Sequence, residues 1–303
     1  MAKGSVGIVG LGIMGGAFAR NLVAAGWRVV GYDIDAARRR AMARAGVEIA
    51  RDAKTLAAEI KIIITSLPKP AALDATVKAI VGAGVDRRII VEMSTFAIDD
   101  KLEAERTLRR AGHVMLDCPV SGTGLQAKVK DLVIYASGGS SEIKKLRPLF
   151  ADFTREVHDL GAFGNGSRMK YVANLLVAIN NVASAEAMVL GLKAGLDART
   201  VFDMVTSGAA NSRVFELRAP MMVRDRYDDP SMKISVWQKD MAVIGEFARA
   251  LRCPTPMFDA TVPIYEKAMR SGHAEQDTAA VCAVLETMAG VKRGNAKPRA
   301  KRT

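Results

Sequence analysis

The 303 residues leave room for two domains, and half are hydrophobic against a quarter charged, the balance of an ordinary globular chain. Three scattered cysteines (Cys118, Cys253, Cys282) and three scattered histidines (His113, His158, His273) offer no disulfide framework and no metal-ligand spacing, so no metal is expected and a cytoplasmic location is. The formal charge of +12 suggests a polyanion partner until its source is located: Lys292, Arg293, Lys297, Arg299, Lys301 and Arg302 close the chain without an acid among them, and the remainder carries an unremarkable +6.

A tail of that composition is expected to be disordered, and no specific nucleic acid is expected as a partner. No membrane span is expected either, because Asn180, Asn181 and Glu186 interrupt the best apolar run. Lys3 before a short apolar stretch faintly mimics a signal peptide, but five glycines from Gly7 to Gly16 break it.

Ser5–Val9 reads as a buried strand. It runs into Gly10-Leu11-Gly12-Ile13-Met14-Gly15, then a helix to about Ala25, Gly26 as a stop, and a second strand, Arg28–Tyr32, ending at Asp33. Gly10 allows the tight turn, Gly12 lets the backbone approach a pyrophosphate at the helix N-terminus, and Gly15 lets helix and strand pack closely. Asp33, 23 residues after Gly10, stands where an acid meets the adenosine ribose hydroxyls. A carboxylate there repels a 2′-phosphate, so NAD is the expected cofactor and NADP is disfavoured. Arg38, Arg39 and Arg40, just downstream, are of a type to bind that phosphate, but they read better as a solvated face of the second helix.

Strands at Lys61–Thr65, Ile89–Glu92, Val114–Asp117 and Leu132–Ala136 alternate with helices near 36–45, 70–80, 98–111 and 141–150. That is the grammar of a doubly wound, mostly parallel α/β sheet, in which ligands bind beyond the carboxyl ends of strands. Three strand ends therefore read as site loops: Ser66-Leu67-Pro68, Ser94-Thr95 and Asp117-Cys118-Pro119-Val120-Ser121-Gly122.

Gly164-Asn165-Gly166 reads as a turn, Ser167 as a cap, and Met169 to about Ala194 as one long helix. Met169, Val172, Leu176 and Ile179 recur on one side; Lys170, Asn174 and Asn181 share another stripe, read equally well as a solvated face or a buried polar one. Further helices follow at 198–208, 214–222, 231–251, 260–271 and 277–289, and Lys239-Asp240 by itself reads as a solvated step. The fold class is thus α/β: an N-terminal Rossmann doubly wound sheet plus an all-α C-terminal domain joined by a long inter-domain helix. The expected domains are 1–164 for NAD(P), 165–291 for substrate and dimerisation, and a disordered basic tail at 292–303.

These pieces resemble the β-hydroxyacid dehydrogenase family, which includes 3-hydroxyisobutyrate dehydrogenases and tartronate semialdehyde reductases, over roughly residues 5–290. Four motifs occur in the family's order: the cofactor loop Gly10–Gly15 with Asn21-Leu22 and Gly26, the substrate loop Asp117–Gly122, Gly164-Asn165-Gly166 with Lys170 and Asn174, and Lys239-Asp240-Met241. The resemblance implies Lys170 as the catalytic residue, Ser121 and Gly122 as carboxylate holders, and Asn174 as the group that orients substrate. It implies Lys239 near substrate and nicotinamide, and Leu67, Pro68 and Thr95 along the cofactor, with Gly10, Gly12, Ile13, Met14, Gly15 and Asp33. Thr123 belongs to the substrate-binding set but departs from the family's usual second glycine; Cys118 replaces a usual Ala, and Lys130-Asp131 a common Gly-Thr.

Hydride transfer from an alcohol needs a group to take the hydroxyl proton, and Lys170 is the available candidate in loops without histidine. Apolar packing and a cationic nicotinamide are expected to bring its pKa towards the working range. The substrate is expected to be a small 3-hydroxy acid or its semialdehyde, and a homodimer or homotetramer is expected from the apolar helices. The alternatives are an imine reductase-like enzyme, whose relatives commonly replace the lysine, a 6-phosphogluconate-type oxidative decarboxylase, whose long C-terminal extension is lacking here, and a non-catalytic NAD(P)-binding module of the same fold.

Overall fold

The computed structural model describes residues 3–293. It divides into two compact units, Met1–Ala173 and Asn174–Thr303, and the division falls inside one continuous helix. Most of the expected tail, 294–303, lies outside the described residues. Arg293, which the composition groups with that tail, is instead paired with Glu286 and donates to the Val223 carbonyl at 3.2 Å.

The first unit begins with β1 (Ser5–Val9), α1 (Ile13–Ala24), β2 (Arg28–Tyr32), α2 (Ala36–Ala43), β3 (Glu48–Ile49) and α3 (Ala53–Glu59). It continues through β4 (Ile62–Thr65), α4 (Pro70–Val81), β5 (Ile89–Glu92), α5 (Ile98–Arg110) and β6 (Val114–Asp117). These strands form one parallel sheet in the order β3-β2-β1-β4-β5-β6, with Ile8 opposite Ile64 and Ile63 opposite Ile90. The central strands are short apolar runs because helices cover both faces. Phe18, Leu22, Phe150 and Phe153 fill one side and Leu56, Ile60, Val77 and Ile80 the other. Helices α2 and α3 start where a carboxylate satisfies a free amide, Asp35 that of Ala37 at 2.7 Å and Asp52 that of Thr55 at 2.7 Å.

Beyond β6 lie β7 (Val120–Ser121), α6 (Gly124–Lys128), β8 (Val133–Ala136), α7 (Ser140–Ala151) and β9 (Glu156–Asp159). The 132–136 run does not extend the main sheet, as its pattern suggests. It forms the middle of a separate three-stranded sheet, antiparallel to β7 and parallel to β9, touching the main sheet through a bridge between Asp117 and Ser137.

Helix α8 (Asn165–Lys193) crosses from the first unit to the second. The second unit then adds α9 (Ala198–Ser207), α10 (Arg213–Arg224), α11 (Ile234–Ala250), α12 (Pro256–Arg270), a single 3₁₀ turn (Thr278–Ala280) and α13 (Val281–Ala289). Its centre is polar as well as apolar: Arg218 of α10 meets Asp277 at 2.8 Å, and Asp277 accepts the Ser231 and Ala279 amides at 2.8 and 3.0 Å.

By length and composition α8 is long and apolar enough to cross a membrane, contrary to the sequence expectation. Ser167, Lys170, Asn174, Asn181 and Ser184 of this helix are nonetheless buried inside the protein. Asn181 donates to the Tyr265 hydroxyl and the Thr278 carbonyl, both at 2.9 Å. Of the two readings open for the polar stripe, the buried one holds: Lys170, Asn174 and Asn181 are buried, while Val172 and Leu176 are about half exposed.

Candidate active site

In the first unit the cofactor loop follows the logic of its glycines. Gly10 sits at φ +94°, and a Cβ on Gly15 would collide with the Gly10 carbonyl oxygen. At Gly12, which opens α1 without a side-chain cap, a Cβ would meet only the Arg38 guanidinium, at 3.5 Å. Uncapped amides beside open space are what a pyrophosphate requires, so these residues fit a dinucleotide.

Asp33 is buried at the end of β2, accepting the Leu11 amide through Oδ2 and the Asp35 amide through Oδ1, each at 2.8 Å. The glycine loop and the acid are thereby one rigid piece. Of the three arginines read as a solvated face, Arg38 and Arg40 are exposed and Arg39 is half-buried. Arg38 Nη1 lies 3.6 Å from Asp33 Oδ2, and Arg39 donates to the Asp33 carbonyl at 2.6 Å.

The substrate loop is shaped by Gly122 at φ +131°, where any Cβ would strike Leu132. Ser121, Gly122 and Thr123 are half-buried. Thr123 has a definite use: it precedes α6, and its amide donates to Gln126 Oε1 at 3.0 Å, while Gln126 Nε2 donates to Asp131 at 3.1 Å. Lys130 holds φ +61°, a left-handed conformation that a lysine adopts at some cost. Asn21 of α1 donates to the Ala127 carbonyl at 2.8 Å, which ties this loop to the cofactor helix.

Leu67, Pro68 and Thr95 lie at the ends of β4 and β5, and Ser94 joins two of these loops by accepting the Leu67 amide at 2.8 Å. Ser94 in turn donates its own amide to Glu92 Oε1 at 2.9 Å. Glu92, Lys101 and Asp117 are all fully buried; Lys101 Nζ stands 2.6 Å from Glu92 Oε2 and 2.8 Å from Asp117 Oδ1. Burial pulls the Lys101 pKa down, but Asp117 and Glu92 more than reverse it, and the ammonium stays charged.

Asp117 also starts α8. Its Oδ2 accepts the Ser167 amide and its Oδ1 the Ser167 hydroxyl, each at 2.7 Å. Ser167, expected as the helix cap, is inside the helix; the cap comes from a carboxylate fifty residues earlier. Lys170 follows within the first turns, buried. Two other buried groups of this unit are poorly suited to take a proton near neutrality. Burial pushes the Tyr171 phenol up to about 12, and that hydroxyl donates to the Phe96 carbonyl; burial and then Asp117 push the Cys118 thiol well up.

In the second unit Asn174 donates to Asp240 Oδ2 at 2.9 Å, and Lys239 Nζ lies 3.3 Å from Asp240 Oδ1. Asp240 is buried, so the Lys239-Asp240 pair is not the solvated step its charges suggest. One carboxylate holds both side chains implied at the substrate. Sequence reasoning missed Lys101, which bridges Glu92 and Asp117, and it gave Asp240 no role beyond a place in a motif, although Asp240 holds Asn174 from 66 residues away. Among the described residues no three metal-ligating side chains gather.

Two family models match the chain in succession: the NAD binding domain of 6-phosphogluconate dehydrogenase over residues 5–161, and NAD-binding of NADP-dependent 3-hydroxyisobutyrate dehydrogenase over 164–285. An L-threonate dehydrogenase of Escherichia coli O6:H1 is 30% identical over 299 residues, 95% of this chain and 97% of that one. Among solved structures, 3-hydroxyisobutyrate dehydrogenase from Salmonella typhimurium matches with TM-score 0.83 at 28% identity, covering 92% of this chain and 99% of its own. The Mycobacterium tuberculosis 3-hydroxyisobutyrate dehydrogenase with L-serine matches with TM-score 0.84 at 27% identity, covering 94% and 99%.

Proposed function

This chain belongs to the β-hydroxyacid dehydrogenase family, and we propose that it moves a hydride between NAD and a small 3-hydroxy acid or its semialdehyde, with Lys170 handling the proton. The observation that carries the proposal is the buried Lys170, placed one turn beyond a helix start that is pinned to the substrate loop through Asp117. Bound nicotinamide supplies the hydride acceptor or donor. Lys170 takes the hydroxyl proton in oxidation and returns it to the forming alkoxide in reduction.

Ser121 and Gly122, with Thr123 beside them, hold the carboxylate and so set its distance to the reacting carbon. Asn174 orients the substrate beside Lys170, and Lys239 contacts substrate and cofactor, both steadied by Asp240. Gly10, Gly12, Ile13, Met14 and Gly15 take the pyrophosphate, Asp33 the ribose, and Leu67, Pro68 and Thr95 the nicotinamide side. The relatives' names favour short hydroxy acids, and L-serine, which accompanies one neighbour, is itself a 3-hydroxy acid. The free cysteines, two of them buried, suit a reducing cytoplasm.

The test is a panel of 3-hydroxyisobutyrate, glycerate, threonate, 4-hydroxybutyrate and tartronate semialdehyde with both cofactors, following the absorbance of reduced nicotinamide. Turnover of at least one acid with NAD is expected; none with any member would overturn the reading. With the best acid, Ser121→Ala should raise KM roughly tenfold, the loss of about one hydrogen bond to a charged group, while kcat changes little.

We further propose a homodimer or homotetramer. Leu176 and Leu190, 52% and 72% exposed, lie on one stripe of α8 at fourteen-residue spacing, with exposed Ala183 midway between them. Such a stripe is poorly suited to water. Light scattering at micromolar concentration should give at least twice the 32.4 kDa chain mass, and a monomer would contradict it.

A further inference from the structure

We propose that Lys101 is a positioning residue for Lys170: bridging Glu92 and Asp117, it fixes the first turn of α8 and joins that turn to the loops assigned to the cofactor. The inference rests on the reading of Lys170 as the proton-transfer group. Every link in the chain of contacts lies within the first unit. Leu67 donates to Ser94, Ser94 to Glu92, and Glu92 meets Lys101 at 2.6 Å. Lys101 meets Asp117 at 2.8 Å, and Asp117 takes both the amide and the hydroxyl of Ser167 at 2.7 Å. Ser137 braces the same turn, accepting the Gly166 amide at 2.9 Å.

A buried lysine between two buried carboxylates is a poor way to gain stability alone, because desolvating three charges costs about what their attraction returns. Its geometric effect is distinctive. Glu92 and Asp117 end neighbouring strands, opposite each other in register, and without a cation between them the two carboxylates would repel each other. Displacement of Asp117 would loosen the carboxylate that caps the first turn of α8. A shift of about 1 Å at a reacting group can cost roughly a hundredfold in rate.

The experiment compares Lys101→Met, Lys101→Met/Glu92→Gln, Lys170→Ala and Lys101→Met/Lys170→Ala, using the panel acid with the highest kcat/KM, well below each variant's Tm. The double change at 101 and 92 removes the cation together with one carboxylate, leaves Asp117 as the cap and keeps an acceptor for Ser94. Expected are a fall in kcat of roughly 10–100-fold for Lys101→Met, with KM for the acid nearly unchanged. Most of the lost rate should return in the charge-balanced double variant, and Lys101→Met should bring no further loss in the Lys170→Ala background. Wild-type kcat in folded Lys101→Met, failure of the balanced variant to recover, or an undiminished loss in the Lys170→Ala background would overturn the assignment. So would failure of both Lys101 variants to fold, which would make the lysine a structural tie. If Lys170→Ala itself keeps its kcat, the proton-transfer reading has failed, and this inference with it.

Discussion

Lys170→Ala is expected to lower kcat by roughly 10²–10⁴-fold, the range for loss of a general acid–base group, while NAD binds as before. The side chain is buried on the helix that Asp117 anchors. Arg at position 170 should not restore the rate, because a guanidinium keeps its proton at any working pH. The check is steady-state kinetics of both variants beside NAD affinity measured by fluorescence or calorimetry. Near-wild-type kcat in Lys170→Ala would remove the residue from the chemistry.

Asp33→Ala should lower kcat/KM for NAD by about 10–100-fold, as removal of a charged hydrogen-bond acceptor costs about 1.5–3 kcal/mol. The ratio of NADP to NAD use should rise at the same time. Arg38 Nη1 lies 3.6 Å from the Asp33 carboxylate; without the carboxylate, its charge becomes available to a 2′-phosphate. Asp33→Asn separates the two parts of the effect. It keeps an acceptor for the Leu11 amide and loses the charge, so it should relax the preference with a smaller loss of NAD activity. A wild-type enzyme more efficient with NADP would show instead that Arg38 already governs the choice.

Much of the first unit was legible because parallel strands buried on both faces are continuous apolar runs, and five of them end at or within one residue of their expected places. The glycine loop was legible for the same kind of reason, since Gly10 and Gly15 occupy positions where a side chain has no room. The small second sheet was not. Val120–Ser121 is two residues long, and Glu156–Asp159 is polar and largely exposed, so neither carries an apolar run. Periodicity placed Lys170, Asn174 and Asn181 on one stripe of a helix, but it cannot tell which stripe turns inward. That was settled by Asp240, Tyr265 and Thr278, between 66 and 97 residues away. Lys101 was invisible for the same reason, lying in a run of charges on α5 whose other members face water or the surface.

Hydride transfer itself can be followed with the best panel acid deuterated at its carbinol carbon. After incubation with wild-type enzyme and NAD, mass spectrometry of the reduced cofactor should find the deuterium on the nicotinamide ring, and kcat/KM should fall relative to the protiated acid. Reduced cofactor free of the label, or acid consumed without reduction of NAD, would contradict the assignment of this chain as a hydroxy acid dehydrogenase.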